Sequence, residues 1–102
     1  MSARFSDEFA EAVLEVVAAI PPGRVMSYGD IAAAIGSRAP RAVGAVMAAG
    51  GADAPWWRVV RADGRPAQCH EGEALRHLRA ERTPLSPSGD RVAMRVARWA
   101  PS

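Results

Sequence analysis

The chain has 102 residues, 49% of them hydrophobic and 24% charged, which is typical of one globular domain, expected here over residues 1–102. It has no run of about 20 apolar residues to span a bilayer and no signal-peptide-like apolar segment, so we expect a cytoplasmic protein with no membrane partner. The single cysteine, Cys69, excludes an internal disulfide, and with only His70 and His77 beside it we expect no metal site and no cofactor.

The charge distribution is uneven along the chain. The net charge is +2, and all 13 basic residues are arginines. Acidic residues dominate the first predicted helix, whereas arginines dominate the middle of the chain. A basic middle beside an acidic end suits a polyanionic partner on one face, although genome base composition explains the arginine usage equally well.

The first element is an amphipathic helix. Ser6 is expected to cap it, and its apolar residues recur at helical spacing from Phe9 to Ile20. Pro21-Pro22-Gly23 ends it. We interpret this helix as scaffold.

Two short helices follow, joined by a tight turn. Ser27 and Asp30 form a shortened capping box that opens a helix from Tyr28 to about Ile35, with Gly36 at its end. Pro40 suits the first turn of the next helix, which is predicted to reach about Ala49. Such a pair is a helix-turn-helix, whose second helix is the usual reader of DNA.

The exposed face of this second helix is unusual. Major-groove readers usually carry several long polar side chains, but here Arg41 stands alone among alanines and glycines. Small residues allow a close backbone approach to a narrow groove, which one long cation could then enter. Alternatively, the alanines only favour the helix and Arg41 is a solvated surface charge.

The second half of the chain predicts a hairpin and a last helix. Val59-Val60 is a strand, Asp63-Gly64 a hairpin turn and residues 65–67 the returning strand, which together form a wing. A helix is predicted from Gly72 to about Arg82, and Trp99 is expected to pack back on the body.

The most unusual run in the chain is Pro55-Trp56-Trp57-Arg58. In an extended segment, successive side chains point to opposite faces. One indole would therefore belong to the core, and the other would line a cavity or the surface. The plainer alternative is that both rings simply fill the core.

Three separated runs of the sequence form one pattern. They are residues 20–32, Ile-Pro-Pro-Gly-Arg-Val-Met-Ser-Tyr-Gly-Asp-Ile-Ala, residues 41–44, Arg-Ala-Val-Gly, and residues 55–60, Pro-Trp-Trp-Arg-Val-Val. The pattern closely resembles the DNA-binding domain of the O6-alkylguanine-DNA alkyltransferases. In those enzymes the last run reads Pro-Cys-His-Arg-Val, and its cysteine takes the alkyl group. Here tryptophan stands at the positions of that cysteine and of the histidine after it. In this respect the sequence resembles the alkyltransferase-like proteins, which recognise the same lesions without repairing them.

The resemblance implies a fold and an activity. The fold would be mainly α, a winged helix-turn-helix domain like the C-terminal domain of the alkyltransferases, with a small β-hairpin wing. No residue would be catalytic, because Trp56 has no nucleophile to replace a thiolate and Trp57 cannot relay a proton. Glu81 is similar to a downstream glutamate of the enzymes, but is expected to have nothing to orient.

The resemblance also implies a set of site residues. Arg41 would fill the space left by a turned-out nucleotide, and Tyr28 would press on the 3′ phosphate. The DNA-binding residues would be Tyr28, Ala39, Pro40, Arg41, Ala42 and Gly44. The lesion pocket would consist of Trp56, Val59, Tyr28, Ala67 and Cys69, with the loop of residues 67–72 at its border. Phosphate contacts are expected from Arg24, Arg38, Arg58 and Arg65, with a structural hydrogen bond as the alternative role of Arg58. His70 and His77 are interpreted as incidental.

The implied partners are double-stranded DNA carrying O6-alkylguanine and nucleotide excision repair proteins of the UvrA type, with the protein acting as a monomer. Three alternatives stay open. Cys69 could make the protein an active alkyltransferase. The domain could be a helix-turn-helix transcription regulator, whose affinity follows DNA sequence. It could also be a protein-interaction module, which would show no salt-dependent DNA binding.

Overall fold

The computed structural model describes residues 7–67 and 70–101, and the expected cap Ser6 lies outside them. Over these residues the chain is mainly helical, with one two-stranded sheet. The elements are α1 (Asp7–Ala19), β1 (Met26–Ser27), α2 (Tyr28–Ala34), α3 (Pro40–Gly50), a 3-10 helix (Trp56–Arg58), β2 (Val59–Val60), α4 (Glu71–Ala80) and α5 (Met94–Ala97). The prediction of a mainly α chain is confirmed.

The first three helices enclose the larger part of the core. Their inward faces repeat at helical spacing, as the apolar pattern predicts. The buried residues of this cluster are Val13, Val17, Ile20, Met26, Ile31, Ala32, Val43, Val46 and Val59. Burying each large aliphatic side chain contributes about 1.5–3 kcal/mol. The cluster thereby fixes α2 and α3 against α1 and leaves the outer face of α3 free to contact a partner.

The capping box at α2 is complete. Ser27 Oγ accepts from the Asp30 amide at 3.0 Å, and Asp30 Oδ2 accepts from the Ser27 amide at 3.1 Å. Arg98 also donates to the Asp30 carboxylate. Partial burial would raise the pKa of Asp30, but the hydrogen bonds from Arg98 and Ser27 outweigh it and hold that pKa below its usual value.

Ser27→Ala is expected to lower the free energy of unfolding by about 1 kcal/mol, because it removes the side-chain acceptor at the N-terminus of α2. Urea unfolding followed by circular dichroism measures the change. Glu15→Ala, on the exposed face of α1, is the control and is expected to change it by less than about 0.5 kcal/mol. Equal effects of the two substitutions would contradict a capping role for Ser27.

The turn between α2 and α3 follows from local sequence. Gly36 adopts a left-handed backbone with φ 74°, and the Ser37 amide donates to the Ala32 carbonyl at 2.8 Å. Pro40 occupies the first turn of α3, where it needs no amide partner. The predicted helix-turn-helix is therefore present, with boundaries within one residue of those expected.

The predicted hairpin wing is only partly correct. The turn forms, since the Gly64 amide donates to the Arg61 carbonyl at 2.8 Å, but antiparallel pairing is limited to one bridge between Val60 and Pro66. β2 instead pairs in parallel with β1, Met26 opposite Val59. The C-terminal segment packs against the turn, where the Val92 amide donates to the Gly64 carbonyl at 2.9 Å.

The C-terminal segment closes the body. α4 ends at Ala80, two residues before the expected Arg82, because the Thr83 amide turns back to the Leu78 carbonyl at 3.0 Å. The short helix α5 is not predicted by the sequence. As expected, Trp99 packs on the core. None of the helices within 7–67 and 70–101 has the length and apolarity that crossing a bilayer requires.

Candidate nucleic-acid interface

The N-terminus of α3 presents the predicted DNA-binding residues unequally. Ala39, Pro40 and Arg41 are exposed, whereas Ala42 and Gly44 are half-buried. The first turn of α3 contains no acidic residue. The positive end of the helix dipole and the charge of Arg41 therefore make this end of α3 electropositive, which suits the phosphates of a nucleic acid.

Gly44 lies next to Tyr28, which is also predicted to contact DNA. A Cβ atom placed on Gly44 would lie 3.9 Å from Tyr28 Cε1. Tyr28 is the first residue of α2 and is half-buried. The helix-turn-helix thus holds Tyr28 next to α3, on the side that leads to the tryptophan pair.

A cavity of 430 Å³ opens between α3, the 3-10 helix and the start of α4, a size that suits a small planar ligand. Three of the predicted pocket residues line it, Tyr28, Trp56 and Ala67. Cys69 lies outside the described residues. The prediction for Val59 is wrong, because this residue of β2 is 3% exposed and belongs to the core.

Seven further residues line the cavity: Gly44, Met47, Ala48, Gly51, Ala52, His70 and Glu73. Of these, His70 lies in the loop expected to border the pocket, Gly44 was expected only as a DNA contact, and the other five were not predicted. The sequence offered a signal for one of them. Gly51 follows α3, and a Cβ atom placed there would lie 2.7 Å from the Met47 carbonyl oxygen. Only glycine fits at position 51 without a shift of the backbone. Gly51 of the Gly50-Gly51 pair therefore forms part of the cavity wall, besides following the end of α3.

Trp56 is held by rings on several sides. The centroids of Trp56 and Trp57 are 5.7 Å apart with the planes at 84°, and His70 and His77 approach Trp56 edge-on at 5.7 and 5.8 Å. His77 also stacks on Trp57, with centroids 4.0 Å apart and an interplanar angle of 12°. Such pairs stabilise ring orientation beyond the area they bury. The interpretation of His77 as incidental is therefore wrong, because this half-buried ring contacts both indoles. His70 is exposed, as expected of a surface residue, and makes one edge contact with Trp56.

The two tryptophans are presented by a 3-10 turn rather than by an extended strand. Trp57 packs on the second core cluster, and its Nε1–H donates to Glu81 Oε2 at 3.0 Å. Trp56 lines the cavity. The expected division between one core ring and one cavity ring holds, although the backbone that produces it is different.

Glu81 is the centre of a bonded network. Besides the bond from Trp57, it accepts from Arg58 Nε at 3.0 Å and from Arg58 Nη2. Burial would raise the pKa of Glu81, but the hydrogen bonds from Arg58 and Trp57 and the charge of Arg58 more than offset it and keep that pKa low. The expectation that Glu81 orients nothing is wrong.

The four arginines predicted to bind phosphate separate into two pairs. Arg58 is engaged inside the protein, donating also to the Ile20 carbonyl at 3.0 Å with its side chain only 13% exposed. Arg24 donates to the carbonyls of Ala97 and Arg98. These two therefore hold the fold together. For Arg58 the alternative of a structural hydrogen bond is confirmed, and for Arg24 the two carbonyl partners argue against the predicted phosphate contact. Arg38 and Arg65 are exposed and remain candidates.

The family model for the DNA-binding domain of 6-O-methylguanine DNA methyltransferase matches residues 8–83. The chain belongs to this family. The predicted resemblance is thereby confirmed, and the match includes the helix-turn-helix, the tryptophan pair and Glu81. Tryptophan stands at positions 56 and 57, where the resemblance places the cysteine and histidine of the active enzymes.

The names of two similar proteins refer to an action on DNA. Two relatives called "DNA base-flipping protein", from Escherichia coli (strain K12) and Shigella flexneri, are each 48% identical over 61 residues, 57% of this chain. The chain spans about half the length of these relatives, because the match covers 47% of each.

Solved structures agree over nearly the whole chain. S. pombe Atl1 in complex with damaged DNA containing O6-carboxymethylguanine has a TM-score of 0.82 at 27% identity, covering 95% of this chain and 99% of that one. S. pombe ATL in complex with DNA gives 0.81 at the same identity and coverage. The predicted fold class is confirmed, with the wing reduced as described above.

Proposed function

We propose that this protein binds double-stranded DNA carrying O6-alkylguanine and holds the damaged nucleotide, turned out of the helix, in the cavity beside Trp56. The observation that carries the proposal is the cavity itself, because an indole lines it at the position where the resemblance places the reactive cysteine. The names and bound DNA of the similar proteins support the same class of activity.

The N-terminus of α3 would approach the minor groove. Its first residues are small and exposed, so the backbone can come close to the DNA. Arg41 is the long side chain within the first turn of α3 and would enter the stack in place of the turned-out nucleotide. Tyr28 would press on the adjacent phosphate. Turning a nucleotide out costs a few kcal/mol and less for a weakly paired modified base, which favours the lesion.

The cavity would then retain the base by contact alone. A ring lying against a base contributes about 1–3 kcal/mol, and His70 and His77 keep the Trp56 ring from turning away. Met47 adds an apolar surface for the alkyl group. A complex held in this way lasts because no reaction ends it.

Transfer of the alkyl group is not part of the proposal. Trp56 has no lone pair to attack an alkyl carbon, and the Nε1–H of Trp57 is engaged with Glu81. Intact mass after incubation with O6-methylguanine DNA tests this directly. A methyl-sized gain located on Cys69 would establish the alternative of an active alkyltransferase.

The proposed partners extend beyond the DNA. A stable complex at the lesion would mark the site for nucleotide excision repair proteins of the UvrA type, with the protein acting as a monomer in the cytoplasm. Pull-down of purified UvrA-type protein by the lesion-bound complex, but not by either component alone, tests the first of these proposals.

Arg41→Ala is expected to lower the affinity for O6-methylguanine DNA about tenfold, equivalent to about 1.4 kcal/mol, because nothing then fills the gap in the stack. Competitive fluorescence anisotropy with one duplex sequence, damaged or undamaged, measures it. The matched control is Arg38→Ala, an exposed arginine outside the helix, which is expected to weaken both duplexes equally.

Two results would contradict the proposal. One is a wild-type preference for the damaged duplex below about threefold, which is under about 0.7 kcal/mol. The other is an affinity that follows DNA sequence rather than the lesion, which would favour a helix-turn-helix regulator.

A further inference from the structure

The cavity beside Trp56 carries a carboxylate that the proposed function does not use. Glu73 lines the cavity from the first turn of α4, and His70 lines it from the residue before that helix. Among the described lining residues there is no arginine, and residues 68 and 69 are glutamine and cysteine. Glu73 therefore gives the described lining of the cavity a negative charge.

The start of α4 does not reverse this sign. A helix N-terminus carries a partial positive charge that would attract an anion. The first turn of α4 also carries two carboxylates, Glu71 and Glu73, whose charges oppose this partial positive charge. An anionic group in the cavity would therefore meet like charge at the start of α4. On the opposite wall it would meet the small and apolar residues of α3 and of the loop that follows it.

Resting on the proposed function, we infer that Glu73 makes the cavity select O6-adducts by charge, accepting neutral alkyl groups and disfavouring anionic ones. A neutral alkyl group gains contact with Trp56 and Met47 when it leaves water. A carboxylate on the adduct loses hydration without gaining a cation and is repelled by Glu73. Because Glu73 is exposed, water weakens the repulsion, and an effect of about fivefold in affinity is expected.

Two adducts of nearly equal shape test the inference. O6-carboxymethylguanine and O6-carbamoylmethylguanine differ in charge, since one ends in a carboxylate and the other in an amide. Duplexes of one sequence carry either adduct, O6-methylguanine or guanine, and the assay runs at about pH 8, where histidines in general carry little charge. The wild-type protein is expected to bind the carbamoylmethyl duplex about fivefold more tightly than the carboxymethyl duplex.

Glu73→Gln is expected to reduce this ratio below about twofold, because it removes the charge and keeps the size of the side chain. The matched control is Glu71→Gln. This residue shares the first turn of α4 but is not among the residues that line the cavity, so the substitution is expected to strengthen both duplexes alike and leave the ratio unchanged.

The possible failures are distinguishable. If the wild-type protein does not prefer O6-methylguanine to guanine, the proposed function fails. If it prefers O6-methylguanine but binds the two carbonyl adducts equally, only the inference about Glu73 fails. Equal changes of the ratio in both glutamine variants would also overturn it, since the effect would then come from net charge.

Discussion

Trp56→Ala is expected to lower the affinity for O6-methylguanine DNA by about 5- to 150-fold, because the substitution removes a ring contact of about 1–3 kcal/mol with the turned-out base. Affinity for the undamaged duplex is expected to change less than about twofold, since Trp56 lines the cavity and not the exposed end of α3. The ratio of the two affinities, measured by competitive anisotropy, is the decisive quantity.

Trp56→Phe is the matched control. It keeps an aromatic face and is expected to retain most of the preference for the lesion. Thermal unfolding of both variants separates binding from folding, because Trp56 also contacts Trp57 and two histidines. An equal loss of affinity for damaged and undamaged DNA would show that Trp56 supports the fold and does not contact the lesion.

The parts of the fold that the sequence predicted are those with local causes. The boundaries of α2 and α3 depend on the Ser27–Asp30 box, on Gly36 and on Pro40, each of which acts on residues within one or two turns of the chain. Tyr28, Ala67 and Trp56 were placed at the cavity by the family resemblance. These three residues come together only in the folded chain, so the spacing of residues in the sequence alone does not predict that they share a cavity.

The parts that were missed depend on contacts between distant residues. β1 pairs with β2, with Met26 opposite Val59. Because of this pairing, Val59 lies in the core and does not line the cavity. Arg24 reaches a carbonyl 73 residues away. The sequence does not show which partner an arginine has, so it could not distinguish Arg24 from the exposed Arg38 and Arg65.

Glu81 shows the same difficulty at the site. Its bond with Trp57 spans 24 residues, and the aromatic stack of Trp57 on His77 depends on α4 passing beside the 3-10 helix. Trp57 stands where the resemblance places a histidine, and its indole N–H donates to the carboxylate of Glu81. Glu81 therefore has a structural role in this chain, which is to fix the ring behind Trp56.

Glu81→Gln is expected to lower the free energy of unfolding at pH 7 by about 2 kcal/mol, because it leaves the guanidinium of Arg58 without its charged partner at a mostly buried position. The amide oxygen can still accept from Trp57. The pKa of Glu81 is lowered in the folded protein, so its stabilising contribution is present above the unfolded value and is lost as pH falls through the folded pKa.

The difference in stability between the wild-type protein and Glu81→Gln should therefore be largest near neutral pH and shrink below about pH 4, the ordinary range of a glutamate. Urea unfolding at several pH values measures it. Glu11→Gln, on the exposed face of α1, is the control and is expected to stay within about 0.5 kcal/mol of the wild-type protein. A difference that does not depend on pH would mean that Glu81 acts through its shape and hydrogen bonds, and that its charge contributes nothing to the network behind Trp56.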